Sequence, residues 1–301
     1  MMIEENVLNA LSDALVQAAE RAGASTVMVE ARRRGGASGV VYQPDLILTA
    51  NHVVEREREI RVGLPDGSTV PAQVAGRDTG SDLALLRLER PTGVAASAAD
   101  DEAKVGQIIL ALGRPEINGI QASLGVVGVV GGPLQTNQGL LERFIRTDAI
   151  PYPGFSGGPL VDGDGHVLGI NTSGFAPGAS LAIPAAQAWR AARSLAQFGR
   201  VRRGFLGIRS EAVELPRGSE SLLGRSQKAG LLLVGVERGQ PADQAGWMVG
   251  DILVAINGQP VEDHDTLMER LSGDLVGQEL PVEILRGGRL LRQTVHIGER
   301  K

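Results

Sequence analysis

Short apolar segments separated by closely spaced turn residues constrain the fold of this chain more than any other feature. Between residues 25 and 183, apolar and β-branched segments alternate with glycine, proline and aspartate. Such segments predict strands, here at 25–31, 39–49, 59–64, 69–75, 83–88, 107–112, 120–130, 166–171 and 181–183. Glycine supplies 41 of the 301 residues, which suits many tight turns and disfavours a helical protein. The pattern therefore predicts a β-barrel or a β-sandwich.

Helical periodicity marks two places outside these strands. Apolar residues recur at helical spacing over 4–22, and Gly23 is expected to end that helix. Pro184 is expected to begin a second helix, which Gly199 closes.

The last third of the chain has the pattern of a smaller, β-rich unit. It predicts strands at 231–236 and 252–256, a helix at 266–271, a hairpin at 282–297 and a polar loop at 214–228. The charged run 200–203 suits a hinge before it. A chain of 301 residues has room for about two domains. We therefore expect a helical segment at 1–24, a main domain at 25–200 and a second domain at 201–301.

A serine in a glycine-rich turn is the clearest sign of chemistry. Residues 154–160 read G-F-S-G-G-P-L, with Ser156 at the third position. A nucleophilic serine needs an exposed hydroxyl and backbone N–H groups that face the developing oxyanion, and glycines leave room for both. The alternative is an ordinary serine in a glycine-rich β-turn.

A serine nucleophile needs a general base and an acid that orients the base. His52 follows an apolar strand and Asp82 opens another, so the chain order is His, Asp, Ser, which occurs in known triads. The remaining histidines are weaker candidates for the base: His166 lies in a turn, His264 at a helix start and His296 in a late strand. Two other carboxylates, Asp78 and Asp148, stay open as the acid. Asp148 could instead hold the loop before the nucleophile.

At this point the chain resembles the HtrA/DegP family of trypsin-like serine proteases that carry a PDZ domain. The matching segments are 48–54 (LTANHVV), 81–86 (SDLALL), 147–149 (TDA), 154–160, 169–172 (GINT), 203–208 (RGFLGI) and 250–253 (GDIL). The resemblance covers about residues 25 to 300. It implies a mainly β protein, with a chymotrypsin-like double β-barrel followed by an α+β PDZ domain. It implies a homotrimer as well.

The resemblance also implies an activity, a serine endopeptidase that cleaves unfolded or damaged proteins in protein quality control. His52 and Asp82 would come from the first barrel and Ser156 from the second, with the Gly154 and Ser156 N–H groups forming the oxyanion hole. An inactive, protease-like scaffold or chaperone that binds peptides is the alternative function. The S1 pocket is expected to consist of Ile150, Thr172, Ser173, Gly174 and Ala182. Since none of these is acidic, we expect cleavage after small or medium apolar residues.

Two residues near the serine depart from the usual family pattern. Phe155 stands where the family usually has asparagine, and Pro151 is an additional proline that could give the loop an unusual shape. We expect the Phe155 side chain to point away from the oxyanion site, so that Phe155→Asn is tolerated.

The PDZ resemblance predicts binding of peptide C-termini. In such domains a peptide adds a strand to a sheet edge, and loop N–H groups capture its carboxylate. The expected binding residues form a loop, an edge strand and an apolar helix face: Gly204, Phe205, Leu206, Gly207, Ile208, Leu267 and Leu271. The alternative is that Phe205 and Leu206 belong to the core.

Composition excludes several other classes. A net charge of −5 argues against nucleic acid as a partner, and the basic run 32–34 suits a solvated hairpin tip. The chain has no cysteine, no apolar run of membrane-spanning length and no visible metal cluster, so we expect no disulfide, membrane span, metal or cofactor. The first residues lack a basic start followed by an apolar stretch, which favours the cytoplasm. The alternative is the cell envelope, if a signal has been removed.

Overall fold

The computed structural model describes residues 7–91, 93–136, 139–141, 143–175, 180–202, 204–271 and 275–299. The chain divides into two compact units between Val201 and Arg202. Of the expected hinge 200–203, Arg203 lies outside the described residues, as do residues 4–6 of the first predicted helix.

Six antiparallel strands close the first barrel, in the order β1-β2-β3-β6-β5-β4. They are β1 (Thr26–Glu30), β2 (Ala37–Gln43), β3 (Leu46–Ala50), β4 (Ile60–Gly63), β5 (Thr69–Asp78) and β6 (Leu83–Leu88). The single strand predicted at 39–49 is wrong, because Pro44 and Asp45 form a turn between β2 and β3. Apolar residues on both sides concealed this short turn, whereas the strand predicted at 83–88 is confirmed.

A second six-stranded barrel has the order β11-β14-β13-β12-β7-β8. The strands of this region are β7 (Ile108–Glu116), β8 (Gly119–Gly131), β9 (Leu134–Thr136), β10 (Gly139–Leu141), β11 (Phe144–Thr147), β12 (Pro159–Val161), β13 (Val167–Thr172) and β14 (Ser180–Pro184). β9 and β10 form a separate hairpin. Two closed barrels confirm the predicted fold class for this unit.

Two helices pack on the barrels, α1 (Val7–Gly23) and α2 (Ala185–Phe198). Gly199 ends α2 in the left-handed conformation with φ of 71°, as its sequence position predicted. α1 buries Ala18 and Ala22 but exposes four apolar side chains: Val7, Leu8, Leu11 and Val16.

One apolar core joins the two barrels. It contains Leu48 and Leu85 of the first barrel, Leu112 and Ile170 of the second, and Leu195 of α2. Burial of these side chains fixes the barrels against each other, because separating them would expose the shared core to water. The residues that border the cleft between the barrels therefore have fixed relative positions.

The second unit is an antiparallel sheet with short helices. Its elements are β15 (Gly204–Phe205), β16 (Ile208–Glu214), α3 (Ser219–Leu223), β17 (Ala229–Val236), α4 (Pro241–Gln244), β18 (Ile252–Ile256), β19 (Gln259–Pro260), α5 (His264–Arg270), β20 (Glu279–Arg286), β21 (Arg289–His296) and β22 (Gly298–Glu299). The sheet order is β16-β17-β18-β20-β21, so β16 is an edge strand. The predicted loop 214–228 contains the short helix α3.

No helix in the described ranges has the length and apolar character needed to cross a bilayer.

Candidate active site

Pairing between β3 and β6 brings His52 and Asp82 together. Ala50 lies opposite Leu83 in the register, His52 follows β3 in a short 3-10 turn, and Asp82 directly precedes β6. The Asp82 carboxylate therefore meets His52 twice. The His52 ring Nδ1 lies 2.7 Å from Oδ2, and the His52 backbone N–H donates to Oδ1 at 2.8 Å.

Asp82 is completely buried and makes several hydrogen bonds. Besides the two contacts from His52, the Thr172 hydroxyl donates to its Oδ2. Its own carbonyl accepts the Asn51 N–H at 2.9 Å. The Asp82 backbone has a φ of 53°, which is uncommon for a non-glycine residue. Such a conformation is kept only where the surrounding contacts hold it in place. These contacts hold the carboxylate in one orientation toward His52.

Gly174 lies against the His52–Asp82 pair. A Cβ atom added at Gly174 would stand 2.6 Å from Asp82 Oδ2 and 2.9 Å from His52 Nδ1. A larger residue would have to displace one of these groups. The pair therefore requires glycine at this position.

Ser156 lies in the loop between β11 and β12, with its carbonyl fixed by the first barrel. The Ser38 N–H of β2 donates to the Ser156 carbonyl at 3.1 Å. The Ser156 hydroxyl lies 3.0 Å from the Ser173 hydroxyl, next to Gly174. Within the described part of the chain, the hydrogen bonds of Ser156 do not include His52. The acid–base pair is formed, and the serine is bonded to a neighbouring side chain.

Close packing explains the glycines around Ser156. Gly157 has a φ of +88°, and a Cβ there would stand 2.1 Å from the Ser38 carbonyl oxygen. A Cβ at Gly158 would stand 2.3 Å from the Leu112 carbonyl oxygen. The loop fits between the two barrels only because these residues have no side chain.

Two backbone donors in this loop have no acceptor among the residues that the structure describes. The N–H groups of Gly154 and Ser156 donate to no group in the described ranges. The Gly154 carbonyl accepts the Ser38 hydroxyl at 2.6 Å, and that hydroxyl accepts the Arg114 N–H at 2.8 Å. Ser38 therefore fixes the peptide unit that follows Gly154.

Arg114 anchors this arrangement to the N-terminal helix. Arg114 is 7% exposed, and its guanidinium donates to the carbonyls of Thr26 and Gly23, at the start of β1 and the end of α1. Burial lowers the pKa of Arg114. No ion pair of the described residues includes this side chain, so carbonyl dipoles are its polar partners.

Phe155 points into the second barrel. It is 2% exposed, packs in an apolar cluster with Ile109 and Leu160, and makes an edge-to-face contact with Tyr152 at 5.4 Å. A Cβ at Gly113 would stand 2.5 Å from its ring. Contrary to the expectation from the sequence, this burial predicts that Phe155→Asn is poorly tolerated, because asparagine would put an amide into an apolar core.

A cavity of about 530 Å³ opens beside Ser156. Its lining includes residues from both barrels and from the nucleophile loop: Arg32, Arg34, Gly35, Gly36, Ala111, Pro115, Glu116, Gln121, Pro151, Tyr152, Pro153, Gly154, Phe155, Ser156, Asn171, Thr172, Ser173, Ser180 and Leu181. Of the expected S1 residues, Thr172 and Ser173 belong to this lining. Ile150, Gly174 and Ala182 do not; Ile150 is 55% exposed and Ala182 is 1% exposed.

The alternative acids have other partners. Asp78 accepts the Ser81 hydroxyl. Asp148 accepts the Val126 N–H at 2.6 Å and so fixes β8 next to β11.

The other histidines lie elsewhere. His166 lies 3.7 Å from the Asp162 carboxylate in a turn, and His296 ends β21. His264 begins α5 and its Nε2 lies 3.0 Å from the Ser210 carbonyl of β16. No group of three or more metal-binding side chains occurs among the described residues.

In the second unit, the predicted peptide-binding residues lie around the start of β16. Gly204 donates to the Leu271 carbonyl at 2.9 Å, and Gly207 has a φ of +76°. Three leucines belong to the core of this unit and are at most 5% exposed: Leu206, Leu267 and Leu271. Phe205 and Ile208 are half-buried.

The backbone N–H groups of the same loop are available for binding, whereas the Leu206 side chain belongs to the core. Those of Leu206 and Gly207 donate to no acceptor in the described ranges, whereas both carbonyls accept hydrogen bonds. They lie directly before the edge strand β16.

The double six-stranded barrel, with His52, Asp82 and Ser156 at its cleft, defines a chymotrypsin-like protease fold. The model of the trypsin-like peptidase domain matches residues 37–170, and that of the PDZ domain matches residues 204–297.

The chain is similar in sequence to bacterial serine proteases. The periplasmic pH-dependent serine endoprotease DegQ of Escherichia coli is 33% identical over 83% of this chain and 56% of its own length. A probable periplasmic serine protease do/HhoA-like of Haemophilus influenzae is 34% identical over 81% of the chain and 53% of its length. This chain therefore spans about half the length of the curated relatives it matches.

Solved structures match over nearly the whole chain. The HtrA-type protease AlgW with a tripeptide is 32% identical, with a TM-score of 0.77 over 95% of this chain and 97% of that one. The serine endoprotease from Yersinia pestis is 30% identical, with a TM-score of 0.68. The chain belongs to the HtrA/DegP family of trypsin-like serine proteases with a C-terminal PDZ domain.

Proposed function

We propose that this protein is a serine endopeptidase of the HtrA/DegP type, with Ser156 as nucleophile, His52 as general base and Asp82 as the acid that orients it. One observation carries the proposal. A fully buried carboxylate binds His52 through both its ring and its backbone, and Gly174 links that pair to Ser173, the hydrogen-bond partner of Ser156. A buried carboxylate fixed on one histidine nitrogen sets the tautomer that leaves the other nitrogen free as a base.

In the proposed reaction, His52 takes the proton of Ser156 as the hydroxyl attacks a peptide carbonyl, and then returns it to the leaving amine. Asp82 stabilises the imidazolium that forms. The Gly154 and Ser156 N–H groups stabilise the oxyanion, and each such donor contributes about 2.7–4 kcal/mol to the transition state. Water then hydrolyses the acyl-enzyme.

In the first step the Ser156 hydroxyl must rotate, so that it gives up its hydrogen bond with Ser173 and forms one with His52. Nucleophile–base hydrogen bonds are often long or misaligned until a substrate is bound, so this rotation is part of the proposal. The Gly154 and Ser156 donors need no such change, since neither has another acceptor within the described residues.

The cavity supports a preference for small or medium apolar residues before the scissile bond. Near Thr172 and Ser173 its lining is neutral, with Ala111, Ser180 and Leu181. A lysine or arginine side chain would find no carboxylate among these described residues, so its burial beside them would be costly. Unfolded or damaged proteins are the proposed substrates, because they expose such apolar residues.

Hydrolysis of fluorogenic casein tests the activity. The wild-type chain should cleave casein, Ser156→Ala should not, and Ser97→Ala should cleave normally because Ser97 is an exposed serine of the same unit. Full activity in Ser156→Ala would refute the assignment of the nucleophile. If the wild type cleaves no peptide but still binds unfolded casein, the scaffold alternative is correct.

The PDZ domain implies peptide binding, and we propose that it captures free C-terminal carboxylates. The N–H groups of Leu206 and Gly207, which donate to no acceptor among the described residues, supply donors for a carboxylate, and the edge strand β16 can accept an added strand. Full-length Ser156→Ala can be titrated with an apolar peptide ending in valine, as the acid and as the amide. Equal affinity for both forms would refute carboxylate capture.

We also propose a homotrimer in the cell envelope. The exposed apolar side chains of α1, among them Val7 and Leu8, support a contact that an assembly would cover. The relatives named as periplasmic favour the envelope over the cytoplasm. Light scattering of the purified chain tests the mass, and fractionation of the source cells tests the compartment.

A further inference from the structure

Two arginines of the loop between β1 and β2 line the cavity that contains Ser156. Arg32 and Arg34 contribute to its lining together with Gly35 and Gly36, whereas Arg33 does not. The basic run therefore does more than form a solvated hairpin tip, which its sequence position suggested. The positive charge lies where a bound substrate would pass.

Neither cavity-lining arginine has an acidic partner in the part of the chain that the structure describes. No carboxylate among the described residues forms an ion pair with Arg32 or Arg34. The Arg32 guanidinium donates to the Gly36 carbonyl, while its Nε is buried and donates to no acceptor in the described ranges. Arg34 is exposed. Arginines that line a cavity and form no ion pair among the described residues are suited to bind a carboxylate.

Glu116 is the acidic residue of this lining. It lies at the end of β7 and is exposed, and no ion pair joins it to either arginine. The charge of the two arginines therefore exceeds that of the one carboxylate, and the cavity wall has a net positive charge.

The arginine loop adjoins the nucleophile loop on the Gly154 side. The Gly36 carbonyl oxygen lies 3.0 Å from the position that a Cβ of Gly154 would occupy, and Pro115 packs against both glycines. Ser173, in contrast, contacts the Ser156 hydroxyl itself. With the substrate carbonyl held at Gly154 and the preceding side chain near Ser173, the chain after the scissile bond continues toward the arginine loop.

We propose that Arg32 and Arg34 form a subsite for acidic side chains on the leaving-group side of the cleavage site. It selects substrates with aspartate or glutamate two or three residues after the scissile bond. In an extended peptide each residue advances about 3.3 Å, so these side chains lie about 7–10 Å beyond the scissile bond. This inference rests on the proposed protease function and specifies its substrate class.

Cleavage of matched peptides tests the subsite. A fluorogenic peptide with one cleavage site is made with glutamate, glutamine or lysine at the second and third positions after the scissile bond. For the wild type, kcat/KM should be about two- to fivefold higher with glutamate than with glutamine, the range expected of a partly exposed ion pair. The preference should fall at high ionic strength.

Variants assign the preference to particular residues. Arg32→Gln and Arg34→Gln should each reduce it and the double variant should abolish it, where the preference is the ratio of kcat/KM for the glutamate and glutamine peptides measured within each variant. Arg33→Gln is the matched control and should keep the preference, because Arg33 is absent from the cavity lining. Glu116→Gln should increase the preference, since it removes the opposing charge.

The outcomes separate the subsite from the protease function. Equal cleavage of the glutamate and glutamine peptides by the wild type overturns the subsite alone, and so does an unchanged preference in the double variant. If the wild type cleaves none of the peptides, both proposals fail. Binding of the same peptides to full-length Ser156→Ala gives a second readout that is independent of chemistry. There the glutamate peptide should bind more tightly by a similar factor, and equal affinities overturn the subsite.

Discussion

Replacing Gly174 with alanine should disable the active site while leaving the fold intact. The added Cβ would stand 2.6 Å from Asp82 Oδ2, roughly 0.8 Å short of the 3.4 Å at which ordinary contact begins. Backbone strain is not the cause, because the φ of Gly174 lies outside the left-handed region. Asp82 is fully buried and bonded on several sides, so the strain must displace either the His52–Asp82 pair or the segment that contains Ser173.

The expected loss follows from this displacement. A misplacement of about 1 Å in a catalytic group costs on the order of a hundredfold in rate. We therefore expect Gly174→Ala to lower kcat for casein or a fluorogenic peptide by about a hundredfold, equivalent to ~2.7 kcal/mol of transition-state stabilisation. KM should change little, because Gly174 does not line the cavity.

A second glycine supplies the control. Gly163 lies in a surface turn of the same barrel, and a Cβ added there meets no atom within 4 Å. Gly163→Ala should therefore keep wild-type activity, and both variants should melt near the wild-type temperature. Wild-type kcat in Gly174→Ala would refute the role assigned to the His52–Asp82 pair.

Three further variants test other parts of the account. Ser38→Ala removes the hydroxyl that binds the Gly154 carbonyl and should lower kcat about tenfold with little change in KM, the pattern of a positioning residue; an unchanged kcat contradicts that role. Phe155→Asn should lower the free energy of unfolding by about 3 kcal/mol or more, measured by urea denaturation, because it buries an amide and leaves a cavity; wild-type stability contradicts the packing. Burial alone would raise the pKa of Glu283, but hydrogen bonds from two arginines outweigh this effect and lower the pKa below 4.5. The ionised carboxylate therefore stabilises the second unit above pH 4.5, and this contribution is lost as the pH falls further. Glu283→Gln should therefore destabilise the second unit at pH 7 and lessen its sensitivity to acid, and an unchanged acid transition contradicts this.

The sequence carried enough information to predict the architecture and the triad candidates. Strand periodicity and glycine turns predicted most of the barrel strands, and the resemblance predicted the PDZ unit. Short strands such as β11 and β12 were missed because a few residues do not establish a period of two. The turn at Pro44 was missed because apolar residues flank it closely.

Side-chain contacts around the site could not be predicted from the chain. Thr172 and Gly174 were expected in the substrate pocket; in the structure Thr172 lines the cavity and also donates to Asp82, whereas Gly174 lies outside the lining and leaves no room for a Cβ next to Asp82. Residues at and just after the end of β13 can face either the substrate pocket or Asp82, and the sequence does not show which of the two each residue faces. Ser38 and Arg114 gave no signal, because a serine and an arginine next to strand residues carry no motif.

Labelling of the active-site serine tests the central claim most directly. A fluorophosphonate probe reacts with serines that an adjacent base activates, and mass spectrometry of the digested protein locates the adduct. We predict one adduct on Ser156 in the wild type and none in Ser156→Ala. Asp82→Asn should react on the order of 10⁴-fold more slowly, because the histidine tautomer would be wrong. Labelling at another residue, or wild-type labelling in Asp82→Asn, would contradict the proposal that Ser156 is activated by the His52–Asp82 pair.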